Sequence, residues 1–199
     1  MENSLSYTLY DDNYKYRFDH HPDMPDLISQ CTITSMNRGI ETAPAPSESM
    51  LPNLKSSASI SLDSTFRKHR KLRDLWPFFE FLYQHDLTRI VSTSCMCHTC
   101  DWLTDLRPLT LLSTNYLIDT SMMFFGCFRL KDLTPLALWD MSHVRNIHAM
   151  FLNCTSLHDI SPLLHWNTKN AKKRRFVFCN CFVSVGKEIE LKMDPSGKL

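Results

Sequence analysis

The sequence predicts an α/β repeat solenoid of about four 27-residue units over residues 67–183, behind a mostly disordered acidic arm at 1–66. A C-terminal tail or capping strand is expected at 184–199. Three observations predict this. The chain matches itself without gaps when slid by 27 residues, a second motif recurs in the same phase, and the charge divides at the Ser-, Pro- and Ala-rich stretch of residues 42–64. The formal net charge of +1 is the average of −5 over residues 1–66 and +6 over residues 67–199.

In the arm, Tyr7, Tyr10, Tyr14, Tyr16 and Phe18 sit among acids without sustained periodicity, and Leu27 to Ile33 reads as one short strand. Residues 42–64 are rich in Ser, Pro and Ala, a composition that buries little apolar surface and reads as a linker. The repeat follows. Leu103-Thr-Asp105-Leu106-Arg-Pro108-Leu109 recurs as Leu130-Lys-Asp132-Leu133-Thr-Pro135-Leu136 and as Leu157-His-Asp159-Ile160-Ser-Pro162-Leu163. An upstream copy, Leu72-Arg-Asp74-Leu75-Trp-Pro77-Phe78, is displaced by 31 residues, which implies a four-residue insertion. The second block, Met123-Phe124-x-x-Cys127, returns as Met150-Phe151-x-x-Cys154 and Val177-Phe178-x-x-Cys181, with Met96-Cys97-x-x-Cys100 as a weaker first member. Seven residues separate Met96 from Leu103, Met123 from Leu130 and Met150 from Leu157, so the two blocks are locked in one register.

A period of 27 is shorter than a tetratricopeptide, ankyrin or HEAT unit and falls in the leucine-rich-repeat range. Within a unit, the proline of L-x-D-L-x-P-L stiffens a turn. Trp139 to Ile147 half-alternates, as a short strand does, and Met150-Phe151-x-x-Cys154 spans about one helical turn that would pack on it. No single unit can bury such a face alone, whereas stacked units can. The expected core comprises Leu103, Leu106, Leu109, Met123, Phe124, Cys127, Leu130, Leu133, Leu136, Trp139, Met150, Phe151, Cys154, Leu157, Ile160, Leu163 and Trp166.

Composition excludes several classes. With four glycines there is no G-x-G-x-x-G and no Walker loop, which removes the nucleotide folds. No stretch approaches the roughly 18 apolar residues of a membrane helix. The N-terminus has neither a basic nor an apolar signal region, so the chain as written reads as cytoplasmic.

M-F-x-x-C, then L-x-D-L-x-P-L, then W-D-x-S-x-V resembles the BspA-type leucine-rich repeats of bacterial and protist surface proteins, most closely from Met123 through Trp139-Asp140-Met-Ser142-His-Val144. The resemblance covers roughly residues 72–183 and implies a solenoid that presents a surface to other macromolecules, in adhesion or cell-surface recognition.

The chemistry-bearing residues mostly follow the repeat. Cys100, Cys127, Cys154 and Cys181 share one position and read as a buried column of free thiols. Cys95, Cys97, His98 and Cys100 are a cluster of potential zinc ligands, but the spacing is tighter than a C-x-x-C knuckle and has no matching second half. Asp74, Asp105, Asp132 and Asp159 form another column. Carboxylates about 4.8 Å apart repel by roughly 1 kcal/mol even in water, so each Asp is expected to accept turn N–H groups, with a row of cations as the alternative. Two basic runs, Arg67-Lys-His-Arg-Lys71 continuing to Arg73 and Lys169 to Arg175, read as polar caps of the repeat array. Neither contains the interleaved aromatics that single-stranded nucleic acid would call for. Residues that break the repeat, such as Trp102, Asp119 and Cys179, form no recognisable catalytic set, so no enzyme and no cofactor is expected.

The leading expectation is a non-enzymatic protein-interaction module that binds an unidentified protein through Tyr116, Ile118, Ser121, His143, Arg145 and His148, which alternate with core positions. The alternatives are a nucleic-acid- or zinc-binding regulator using the basic runs and the Cys95–Cys100 cluster, and a degenerate repeat fragment without activity. An intramolecular contact between the acidic arm and the basic half is also permitted by their charges.

Overall fold

The computed structural model describes residues 6–21, 23–48 and 58–183. A five-stranded sheet runs in chain order: β1 (Ser6–Tyr10), β2 (Tyr14–His21), β3 (Met24–Ser35), β4 (Ser59–Ser61) and β5 (Ile90–Ser92). The first three strands pair antiparallel, and β3–β4 and β4–β5 pair parallel. Beyond β5, single parallel bridges continue the ladder from Ser92 to Asp119, Asn146 and Lys173, one copy of the repeat at a time.

The backbone accounting explains how these copies adhere. Thr93, Cys95, Cys97 and Thr99 donate their N–H groups to the carbonyls of Asp119, Ser121, Met123 and Phe125. Thr120, Met122, Phe124 and Gly126 donate to Asn146, His148, Met150 and Leu152, and Ile147, Ala149, Phe151 and Asn153 to Lys173, Arg175, Val177 and Cys179. Leu62, Ser64, Phe66 and Lys68 make the corresponding bonds to Ser92, Ser94, Met96 and His98. The intervening N–H groups turn back into their own copy, as Met96, His98 and Cys100 do onto Thr93, Cys95 and Cys97.

That alternation needs a left-handed residue every fourth position. Ser64, Cys95, Met122, Ala149 and Phe176 form one column of positive φ (52–61°), and Lys68, Thr99, Gly126, Asn153 and Asn180 a second (57–69°). Among the described residues, Asp86 alone has positive φ outside these columns. An L-residue there costs roughly 1–2 kcal/mol, and four inter-copy hydrogen bonds at about 1 kcal/mol each offset the two such residues in a copy.

This geometry corrects two local expectations. Met150-Phe151-x-x-Cys154 and its equivalents are not helical turns, because the left-handed residues on either side of the Met-Phe pair interrupt any helix. Trp139 to Ile147 is not a strand: it turns at Ser142–His143, where the Val144 N–H donates to the Met141 carbonyl, and pairs through Asn146 alone, which bridges to Asp119 and Lys173. The proline block instead forms 3₁₀ turns at Arg107–Leu111, Thr134–Leu136 and Ser161–Leu163. In the first copy it opens a full helix, α1 (Trp76–Gln84), which accommodates the four extra residues of that copy.

All the core residues expected from the repeat are buried. Phe124, Phe151 and Phe178 form a column with ring centroids 5.5 Å apart and planes within 11° and 4° of parallel. Trp166 donates its indole N–H to the Leu136 carbonyl at 2.8 Å, joining two copies.

The expectation of a mostly disordered arm is corrected for residues 6–21 and 23–48. In β2 the alternation Tyr14-Lys-Tyr16-Arg-Phe18 puts three fully buried rings on one face, opposite Cys31 and Ile33 of β3. Tyr14 meets Phe78 of α1 at 5.6 Å, and Phe78 meets Phe66 at 5.0 Å. The acidic Asp11 is structural: its carboxylate accepts the N–H groups of Asn13 and Tyr14 and the Tyr16 hydroxyl. The arm therefore covers the open end of the first copy chiefly through rings and β3–β4 pairing. Part of the expected linker, residues 49–57, and the expected tail, 184–199, lie outside the described residues.

The backbone and the buried histidine lead to three predictions. A Cβ on Gly126 would sit 3.2 Å from Thr99 Cγ2 at φ +69°, so Gly126→Ala should lower stability by more than about 1 kcal/mol. Lys68→Gly, at an exposed left-handed position, should raise it by about 0.5–1 kcal/mol in urea denaturation. Burial, with Arg38 adding to it, lowers the pKa of His69 to about 4. Unfolded histidine titrates near 6.5, so between these values the unfolded chain binds the extra proton and stability falls as pH drops from about 6.5 to 4. His69→Gln should flatten that slope of the urea midpoint against pH.

Candidate interaction surface

The outer side of the ladder carries side chains in columns, because each copy repeats the register of the last. One column runs Arg89, Tyr116, His143, Asn170; the next runs Val91, Ile118, Arg145, Lys172. Tyr116 and Ile118 are each close to half exposed, and His143 and Arg145 are exposed. The Arg89 guanidinium lies over the Tyr116 ring at 4.4 Å. The Arg145 N–H donates to the Ile118 carbonyl at 2.8 Å, fixing these two residues side by side. His148 is half-buried, its ring edge-on to Phe176 at 5.8 Å.

Ser121 does not belong to this surface. It is only 7 % exposed, and its hydroxyl donates to Asp119 Oδ1 at 2.6 Å. It lies in a polar seam that crosses the copies. Asp63 accepts the Ser92 hydroxyl and the Ser94 N–H. Ser94 Oγ and Ser121 Oγ are 3.0 Å apart, Asn146 Nδ2 donates to Asp119 Oδ2 at 2.8 Å, and Asn146 Oδ1 accepts the His148 N–H. Burial pushes the Asp63 carboxyl up, opposed by its Ser92 and Ser94 hydrogen bonds. The signal was available as Ser92, Asp119, Asn146 and Lys173 at successive 27-residue steps, but four different residue types hid the shared position.

Each thiol of the cysteine column donates to a carbonyl one copy back: Cys100 to Phe66, Cys127 to Cys97, Cys154 to Phe124 and Cys181 to Phe151, at 3.0–3.2 Å. Burial raises the Cys97, Cys100, Cys127 and Cys154 thiols, keeping them protonated donors. The Cys95–Cys100 cluster is divided by this packing. Cys97 and Cys100 are buried, Cys95 is half-exposed, and His98 stacks on Phe125 at 4.5 Å. Among the described residues no three His, Cys, Asp or Glu side chains are placed to share a metal ion.

The aspartate column has the turn role. Asp74, Asp105, Asp132 and Asp159 each accept the N–H two residues on, at 2.8–2.9 Å. Arg107 forms a further ion pair with Asp105 at 2.7 Å, and that hydrogen bond holds the Asp105 carboxyl below the usual range. In the last copy Arg174 occupies the position of the fully buried Ile147 and is half-buried, while Lys169, Lys172, Lys173 and Arg175 are exposed.

A family model described as Mycoplasma protein of unknown function, DUF285, matches residues 60–187. The chain belongs to the DUF285 family. The match opens within β4 and includes all the repeat copies described above, so the family pattern lies on the repeat half of this DUF285 chain. No curated protein and no solved structure matches it. No described helix is long and apolar enough to cross a membrane.

The thiols allow a direct check. Cys95, Cys179 and Cys181 are partly exposed, and Cys31, Cys97, Cys100, Cys127 and Cys154 are buried. Native labelling with a small maleimide should modify the first three and spare the other five until denaturant is added, as read by peptide mass spectrometry. Cys127→Ala should cost about 1–2 kcal/mol, from a lost donor and a small cavity.

Proposed function

We propose that this DUF285 chain is a non-enzymatic protein-interaction module, built as a leucine-rich-repeat solenoid of about four units with its N-terminal end covered by a sheet. Support for the solenoid reading comes from bridges and hydrogen bonds that recur copy by copy in parallel, together with the BspA-type resemblance of the sequence. The observation that carries the binding role is the Tyr116–Ile118 pair. Two large apolar side chains stand exposed on a hydrogen-bonded ladder, beside Arg89 and Arg145. Tyrosine and arginine are enriched at the energetic centres of protein interfaces, where rigid presentation reduces the entropy lost on binding. Adhesion or cell-surface recognition is the setting that the resemblance suggests.

The test compares three forms of the full chain in cross-linking capture from extracts of the source cells. Ile118→Asp with Arg145→Glu should reduce recovery of the captured protein by about tenfold or more. Leu138→Asp, at an exposed site off the ladder, should retain it, with both variants folded by circular dichroism. Equal recovery by all three forms would contradict the proposal.

A further inference from the structure

The first basic run lacks aromatics in the sequence, but the fold supplies them from neighbouring copies. Arg73 Cζ lies 4.1 Å from the centroid of the Trp102 ring and Arg129 Cζ lies 4.0 Å from it. Trp102 belongs to the copy between those that carry the two arginines, so the indole is clamped by a guanidinium on each side. The Trp102 backbone N–H donates to the Arg70 carbonyl at 3.1 Å, which ties this copy's backbone to the basic run.

Among the described residues, neither Arg73 nor Arg129 has an acid or a hydrogen-bond acceptor. By contrast, Arg107 and Arg17 are paired with Asp105 and Asp19, and Arg70 lies 3.7 Å from Asp101. Stacking engages the plane of a guanidinium and leaves its N–H edge open, already oriented for a planar oxyanion. In the same copies Arg67, Lys68, Lys71 and Lys131 are exposed, as is Phe128. Asp74, Asp101, Asp105 and Asp132 are the acids nearest in sequence to the three clamp residues, and each is engaged elsewhere: Asp74 accepts the Trp76 N–H, Asp101 faces Arg70, Asp105 pairs with Arg107, and Asp132 accepts the Thr134 N–H.

We infer that this flank, centred on Arg73, Trp102 and Arg129, docks an acidic segment of a partner protein, whose carboxylates take the two guanidinium edges while an apolar side chain covers Phe128. The choice of protein over single-stranded nucleic acid rests on the rings beside the guanidinium edges, because the exposed Phe128 is a single ring and a run of bases needs a succession of open faces. Both faces of Trp102 are occupied, and Phe125 is stacked on His98 with planes within 4°. Bases need open aromatic faces to stack on, whereas carboxylates need only the N–H forks. Tryptophan and arginine together are also the residues that dominate protein-interface energetics. This flank is separate from the Tyr116–Ile118 face, so either surface can fail without the other.

The test is fluorescence anisotropy on the full chain with a labelled glutamate-rich peptide carrying one central Phe. The same peptide with Gln for Glu, and an oligo-dT strand of equal charge, serve as comparison probes. The Glu peptide should bind more tightly than either, and Arg73→Gln with Arg129→Gln should weaken it about tenfold or more. Arg73→Lys with Arg129→Lys should weaken it several-fold, because charge remains but the stacked fork is lost. Leu164→Ser, at an exposed site in the last copy, should leave it unchanged. Tighter binding of oligo-dT, no binding of the Glu peptide, or equal binding by the Arg-to-Gln variant would overturn the inference.

Discussion

Everything in the repeat half depends on one backbone device: alternate N–H groups reach across to the next copy while the groups between them turn back into their own. Two left-handed residues per copy make this possible, at Cys95 and Thr99, Met122 and Gly126, Ala149 and Asn153, and Phe176 and Asn180. The conformation is costly for each residue and is sustained only because the neighbouring copies accept and donate in register. It also dictates the side chains. Between the two left-handed positions the chain turns two apolar residues inward, which is why Met-Phe recurs, and the next inward position takes a thiol small enough to reach the preceding copy's carbonyl. Stability is thus shared between copies more than contained in any one of them.

The same register makes the surface. A side chain exposed in one copy has an exposed counterpart in the next, so Tyr116 and Ile118 stand over His143 and Arg145, and Trp102 stands between Arg73 and Arg129. The polar seam from Asp63 to His148 ties the outer side of the ladder together with hydrogen bonds across copies. Side chains exposed on such a frame are held by the fold and have little loop entropy to lose on any contact. The N-terminal sheet completes the arrangement by covering the first copy, where Phe66, Phe78 and Phe79 would otherwise face water.

The repeat was legible in the sequence because its core positions are chemically strict. Leu103, Leu130 and Leu157, or Phe124 and Phe151, recur as near-identical residues, and each is buried where the period places it. The left-handed columns were not legible, because Cys, Met, Ala and Phe share one of them and the constraint there acts on backbone, not on side-chain type. Their presence is what turned an expected helical turn and strand into something that is neither. The arm was misread for a different reason. Acids and histidines around Tyr14-Lys-Tyr16-Arg-Phe18 obscured a short period-two pattern, and the partner of that face, Phe78, lies far along the chain. Of the site, the exposed column was readable from alternation, yet Ser121 fell on its buried edge. The Trp102 clamp was invisible because its three members come from three copies.

The repeat half depends on which residues are partners in the inter-copy ladder, and scalar couplings across hydrogen bonds report both partners at once. On a deuterated, isotope-labelled sample, the amide nitrogens of Cys97, Phe124 and Phe151 should couple to the carbonyl carbons of Met123, Met150 and Val177. Couplings confined to partners within a copy, or to a carbonyl one residue out of this register, would contradict the stacked arrangement and every surface derived from it.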